Sequence, residues 1–152
     1  MVDLPAIADL DHEAFSSYGT AEASEVFVQR LTVFPEGFVV AEHMGAVVAY
    51  GCSEKWGSLR EPAMNEDPAS SHDPAGTVFC ITGVAVRQSH RGRGLGMAVA
   101  ERLLEIAQAQ GCHQAILETT HAQGLWRRLG FLPTTQREQG GAILTVMQRE
   151  ID

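Results

Sequence analysis

A strand-like run from Val78 to Val86 leads into Arg91-Gly92-Arg93-Gly94-Leu95-Gly96, and a helix-periodic segment from about Leu95 to Gln110 follows. Strand, glycine-rich turn and helix in this order confine the centre of the chain to a few α/β arrangements. Glycines let the backbone approach a ligand closely and adopt positive φ, so that several N–H groups can converge. The start of the helix adds unpaired N–H donors and the positive end of its dipole. The turn therefore reads as a cradle for an anionic phosphate group.

The flanking segments follow their hydrophobic spacing. Leu4, Ile7, Ala8, Leu10 and Phe15 recur at helical intervals and predict an amphipathic helix over 4–17. Ser17 to Thr20 ends it, with Gly19 as the stop. A second helix is expected from Ala21 to Phe34, with Val26, Leu31 and Phe34 inward, before a turn at Pro35-Glu36-Gly37. Phe38–Ala41 and Ala46–Tyr50 flank His43-Met44-Gly45 as a β-hairpin. Lys55 to Gly76 reads as a long loop, and loops of that length within a domain are commonly functional. Strand Thr77–Val86, the turn and the long helix come next, with Leu95, Val99, Leu103 and Ile106 along one helix face. Gln114–Glu118 predicts a buried strand, Ala122–Leu129 a short helix, and Phe131–Thr135 and Ala142–Gln148 a closing strand pair. The whole predicts one mixed α/β domain spanning residues 1–152.

Composition narrows the partners. A net charge of −8 disfavours nucleic acid, and no apolar run approaches the roughly 20 residues a bilayer span needs, so neither nucleic acid nor membrane is an expected partner. Three widely spaced cysteines, Cys52, Cys80 and Cys112, argue against a disulfide framework or a zinc site, and no metal is expected. With no signal-peptide pattern at the N-terminus, the expectation is a reducing cytoplasm. Residues 1–76 carry 13 acidic and 3 basic side chains, whereas residues 77–152 carry 6 acidic and 8 basic. An anionic ligand on the basic half and a cationic second substrate on the acidic half would account for that asymmetry. A solvated acidic surface kept for solubility accounts for it equally well.

Three blocks in this order resemble the GCN5-related N-acetyltransferase (GNAT) superfamily. Arg91, Gly94 and Gly96 fit its Q/R-x-x-G-x-G/A pyrophosphate loop, Gly83-Val84-Ala85-Val86 is similar to its fourth strand, and Leu125-Trp126-Arg127-Arg128-Leu129-Gly130-Phe131 is similar to its L-Y-E-K-L-G-F segment. A finer likeness, to the serotonin N-acetyltransferase-like branch, rests on His72-Asp73-Pro74-Ala75-Gly76, Thr119–Gly124 and Phe34–Glu42. The resemblance implies a mostly antiparallel central sheet with helices on both faces, and acetyl-CoA held in a V-shaped opening between two strands. It further implies that the backbone of Val84, Ala85 and Val86 lies along the pantetheine arm, that Arg91, Gly92, Arg93, Gly94, Leu95, Gly96 and Met97 cradle the pyrophosphate, and that the acetyl group passes directly to an amine. The family often forms dimers, so a homodimer is among the expectations.

Two departures stand out. The family's first strand looks absent, because Asp3-Leu4-Pro5 comes almost at once. The tyrosine that often protonates the leaving thiolate is Trp126, whose indole N–H donates a hydrogen bond but has no usable acidity. Candidate catalytic groups are then Glu118, His121 and Trp126, with Glu54 and His72 near the acceptor side. Strand positions that hold two histidines in animal members of the serotonin-type branch are Cys80 and Thr82 here. The expected activity is acetyl transfer to a small cationic amine. The alternative is a non-catalytic acyl-CoA sensor of the same fold. A dinucleotide oxidoreductase fits poorly, since the G-x-G-x-x-G spacing fails after Gly96.

Overall fold

In a computed structural model that describes residues 4–16, 21–63 and 66–152, the spacing at the start of the chain becomes helix α1 (Leu4–Phe15). The stop expected at Ser17–Thr20 lies outside the described residues. Helix α2 (Ser24–Val33) buries Val26, Phe27 and Arg30. Arg30 stands where the apolar spacing had suggested Leu31, which is only partly buried. A short 3-10 turn at Pro35–Gly37 leads to strand β1 (Val39–His43), and Met44-Gly45, both at positive φ, turn the chain into β2 (Ala46–Trp56).

Strand β2 departs from expectation by running on to Trp56, through Glu54 and Lys55, where a loop was predicted. Those charged residues stay in the ladder because the following segment, with its short helix α3 (Pro68–Ser71), folds back over them. Lys55 Nζ donates to Pro74 O at 2.6 Å and to Gln110 Oε1 at 3.0 Å, so its charge is buried with acceptors in place. The remaining elements are β3 (Val78–Val86), α4 (Leu95–Ala109), β4 (Gln114–Thr119), α5 (Gln123–Arg128), β5 (Leu132–Gln139) and β6 (Ala142–Glu150).

The six strands form one sheet in the order β1-β2-β3-β4-β6-β5. All neighbours are antiparallel except β3 and β4, which α4 connects as a parallel crossover. Val99, Leu103 and Ile106 of α4 pack with Ala49, Phe79, Leu117 and Met147 in the larger core, which also takes Trp126 and Phe131. On the other face Ile7, Leu10 and Ala14 of α1 join Phe27, Val47, Tyr50 and Ala85. The mixed sheet with helices on both faces is the predicted architecture.

Candidate active site

Strand β3 pairs with β4 only at Val78, Phe79 and Cys80, although both strands continue beyond those residues. From Ile81 onward the two diverge, so the second half of β3 presents an open edge. The Arg87 N–H donates to Val48 O of β2 at 2.7 Å. Backbone groups of a strand alternate sides, so Ala85 also faces β2 while Val84 and Val86 face the opening. Arg91 Nε reaches round to Val86 O at 3.2 Å and ties the next loop to this edge. Thr82 is the extra residue of a β-bulge opposite Cys52-Ser53, which bends β3 where it leaves β4.

At the end of that edge, Gly92 and Gly94 have φ of +78° and +79°, and Gly94 is the left-handed N-cap of α4. An L side chain in that conformation is strained, which accounts for glycine at the cap. No side chain caps the helix start, so its first N–H groups are left for a ligand. Arg91 and Arg93 are exposed beside it. The glycine-rich turn expected to cradle a phosphate thus lies next to the strand opening.

The divergence opens into a cavity of about 140 Å³ whose lining includes Thr82, Gly83, Val84, Glu118, His121 and Trp126. Trp126 is both core and wall: it is 4% exposed and meets the Phe131 ring edge-on at 5.3 Å between centroids. Glu118 is gripped by Arg137, with Nε–Oε2 at 2.5 Å and Nη2–Oε1 at 2.9 Å. A bidentate guanidinium fixes the orientation of the carboxylate as well as its position. His121 stands at the rim, its Nδ1 2.8 Å from Thr120 Oγ1, and partial burial of the ring, then the charge of Arg91, lower its pKa. His72 lies away from this lining: its Nδ1 accepts from the Lys55 N–H at 3.1 Å and its ring stacks on Phe34. Cys80 and Thr82 do line the cavity. Burial lifts the Cys80 thiol well above its ordinary range, so it stays protonated.

The inner wall carries a buried polar network that hydrophobic spacing and motifs did not reveal. Tyr50 Oη donates to Asp11 Oδ1, and the Glu22 N–H donates to Asp11 Oδ2 at 2.9 Å. Arg30 Nη2 donates to Glu22 Oε1 at 2.8 Å, Nη1 to Cys52 Sγ at 3.6 Å, and Nε lies 3.8 Å from Glu54 Oε2. Glu54 Oε1 accepts from Trp56 Nε1 at 3.0 Å and Ser71 Oγ at 2.6 Å. Burial lifts the Asp11 carboxyl to about 6, the hydrogen bond from Tyr50 holding it lower than burial alone would. The signal was present: Asp11 and Arg30 are charged residues on the inward faces of amphipathic helices, and such a residue points to a buried polar site.

The acetyltransferase (GNAT) family model matches residues 4–131. The chain belongs to that family. Among curated relatives, the L-methionine sulfoximine/L-methionine sulfone acetyltransferase of Pseudomonas paraeruginosa is 42% identical over 79 residues, a match taking in 45% of this chain and 46% of that protein. The chain therefore spans about half the length of the curated relatives it matches. Two solved structures share the fold: yncA, a putative acetyltransferase from Salmonella typhimurium with its cofactor acetyl-CoA (TM-score 0.68, 20% identity, 99% of this chain and 91% of that one), and the GphF GNAT-like decarboxylase in complex with isobutyryl-CoA (TM-score 0.79, 16% identity, 99% and 95%). Acyl-CoA ligands thus occur across this fold, while the reaction named differs from one protein to another. Among the described residues no helix is long and apolar enough to cross a membrane, and no three His, Cys, Asp or Glu converge as metal ligands.

Proposed function

We propose that this protein transfers the acetyl group of acetyl-CoA directly to the amine of a small, cationic acceptor. The observation that carries the reading is the open edge of β3 ending at the uncapped, glycine-led start of α4. Val84 and Val86 offer backbone groups along that edge for a pantetheine amide chain, as an added strand would use them. The amides from Arg91 to Met97, with the Arg91 and Arg93 side chains, take the pyrophosphate. A backbone N–H at the bend of β3 polarises the thioester carbonyl. Trp126 walls the thioester end and donates a hydrogen bond without delivering a proton. Glu118, fixed by Arg137, and His121 border the acceptor.

The charge of the cleft supports a cationic acceptor. Asp11, Glu22, Glu54, Glu66 and Glu118 all line it, against Arg30 and Arg137. A cavity of that sign concentrates ammonium groups. Calorimetric titration with acetyl-CoA, with NADPH as control, is expected to show micromolar binding of acetyl-CoA alone. Turnover of an amine panel should then release CoA thiol in step with acetylated amine detected by mass spectrometry. Tight binding without transfer to any amine would instead favour an acyl-CoA sensor.

A further inference from the structure

Five carboxylates line the cleft, and four of them stand against an arginine. Glu22 lies 2.8 Å from Arg30, Glu54 3.8 Å from Arg30, Glu66 2.7 Å from Arg60 and Glu118 2.5 Å from Arg137. Each of these four carboxylates thus faces a guanidinium. Asp11 differs. Its two donors, the Tyr50 hydroxyl and the Glu22 amide, are neutral, and among the described residues it makes no ion pair with an arginine. It is 2% exposed, so bulk water does little to stabilise its charge.

Its place in the fold is equally specific. A Cβ built on Gly83 would lie 3.1 Å from Tyr50 Oη. The phenol therefore sits against the β3 residue next to Val84, at the bend where β3 leaves β4. Asp11 is one hydrogen bond from that phenol and itself lines the cleft.

Resting on the acyl-transfer reading above, we propose that Asp11 is the general base of this site. The acceptor arrives as an ammonium ion and gives one proton to the Asp11 carboxylate, directly or through one water. The freed nitrogen lone pair forms the C–N bond at the thioester carbonyl carbon as the C–S bond breaks. The thiolate takes up the second nitrogen proton, and the Asp11 carboxyl returns its proton to solvent. The first transfer turns a buried ion pair into two neutral groups, a change that burial favours. The titratable and charged groups facing Asp11 are Tyr50 and Cys52 from β2, and Glu22 and Arg30 from the α2 side; the carboxyl itself is lifted to about 6.

The test compares wild type, Asp11→Asn, Tyr50→Phe and His121→Gln with acetyl-CoA and a panel of primary aliphatic and aromatic amines. It follows kcat/KM from acid to alkaline pH, acetyl-CoA affinity by calorimetry, and folding by circular dichroism. Asp11→Asn is expected to lower kcat/KM by about 10²–10⁴-fold with acetyl-CoA affinity within about twofold of wild type. The acid limb of the wild-type profile, near pH 6, should vanish in Asp11→Asn and persist in His121→Gln. Tyr50→Phe should move that limb to higher pH, because the lost hydroxyl was holding the carboxyl down. This shift decides the matter even if Asp11→Asn folds poorly. A limb unchanged in both Asp11→Asn and Tyr50→Phe, or lost in His121→Gln instead, overturns the assignment. An active wild type with an equally active Asp11→Asn removes Asp11 alone; a wild type that acetylates no amine removes the acyl-transfer reading along with it.

Discussion

Single residues set the terms of the two half-sites. Gly94 turns the chain into α4 at φ +79°, and a Cβ placed on it would meet nothing within 4 Å, so a side chain there would clash with nothing and yet strain the backbone. Gly94→Val should therefore leave the fold nearly intact. The cost of the left-handed conformation, about 1–2 kcal/mol, relaxes the loop instead. Acetyl-CoA affinity is expected to fall by roughly tenfold or more in calorimetry, since about 1.4 kcal/mol corresponds to a factor of ten. Asp11 carries a stability signature as well. Its folded-state carboxyl titrates at about 6 against an ordinary value of 3.8, so between those pH values the native state binds more protons than the unfolded chain. Stability from this group is complete below pH 3.8 and is lost as pH rises through 6. Measured against Asp11→Asn by urea unfolding, wild type should lose ground across that window, by up to about 3 kcal/mol. A difference flat in pH would show that the carboxyl titrates normally. The glycine was visible in the sequence because its conformational demand is local. The aspartate showed in the sequence only as a charged residue on an inward helix face; its partners Tyr50 and Glu22, 39 and 11 residues away, did not.

Among the elements, the length of β3–β4 pairing matters most to the site. Each strand was legible as a β-rich apolar run, but where two strands stop pairing is a property of both together. The bulge at Thr82 and the bend it imposes carry no residue signature of their own. Strand β2 makes the same point in another way: a loop was expected from Lys55, yet cover from the segment around α3 keeps Glu54, Lys55 and Trp56 in the sheet. The docking of α4 on that sheet depends on Gly51, where an added Cβ would come within 2.5 Å of Val99 Cγ1 and 2.9 Å of Leu103 Cδ1. Gly51→Val is expected to destabilise the fold by about 1–3 kcal/mol through overpacking, read as a lower urea midpoint at unchanged m-value. Unaltered stability would mean that α4 can shift outward freely.

Across the whole molecule, charge is divided between the two halves of the chain, with the glycine-rich Arg91–Gly96 loop on the basic half and Asp11, Glu22 and Glu54 on the acidic one. On the proposed reading, attraction of an ammonium acceptor to that acidic half would be screened over about 10 Å at roughly 0.1 M salt. Raising ionic strength should thus lower kcat/KM for a cationic amine more than for an uncharged one of similar shape. Equal salt dependence would mean that the acidic half serves solubility only. Membership of the acetyltransferase (GNAT) family, the mixed sheet and the glycine-rich turn at the start of α4 were all determined by the sequence itself. They rest on periodicity, glycine conformation and a contiguous turn, each a relation among near neighbours in the chain. The tertiary structure alone decided the residue at which β3 leaves β4, the Glu118–Arg137 clamp and the buried network that joins α1, α2 and β2. Those features depend on which distant residues share a small, water-poor volume, where a charge must either find a partner or shift its proton affinity.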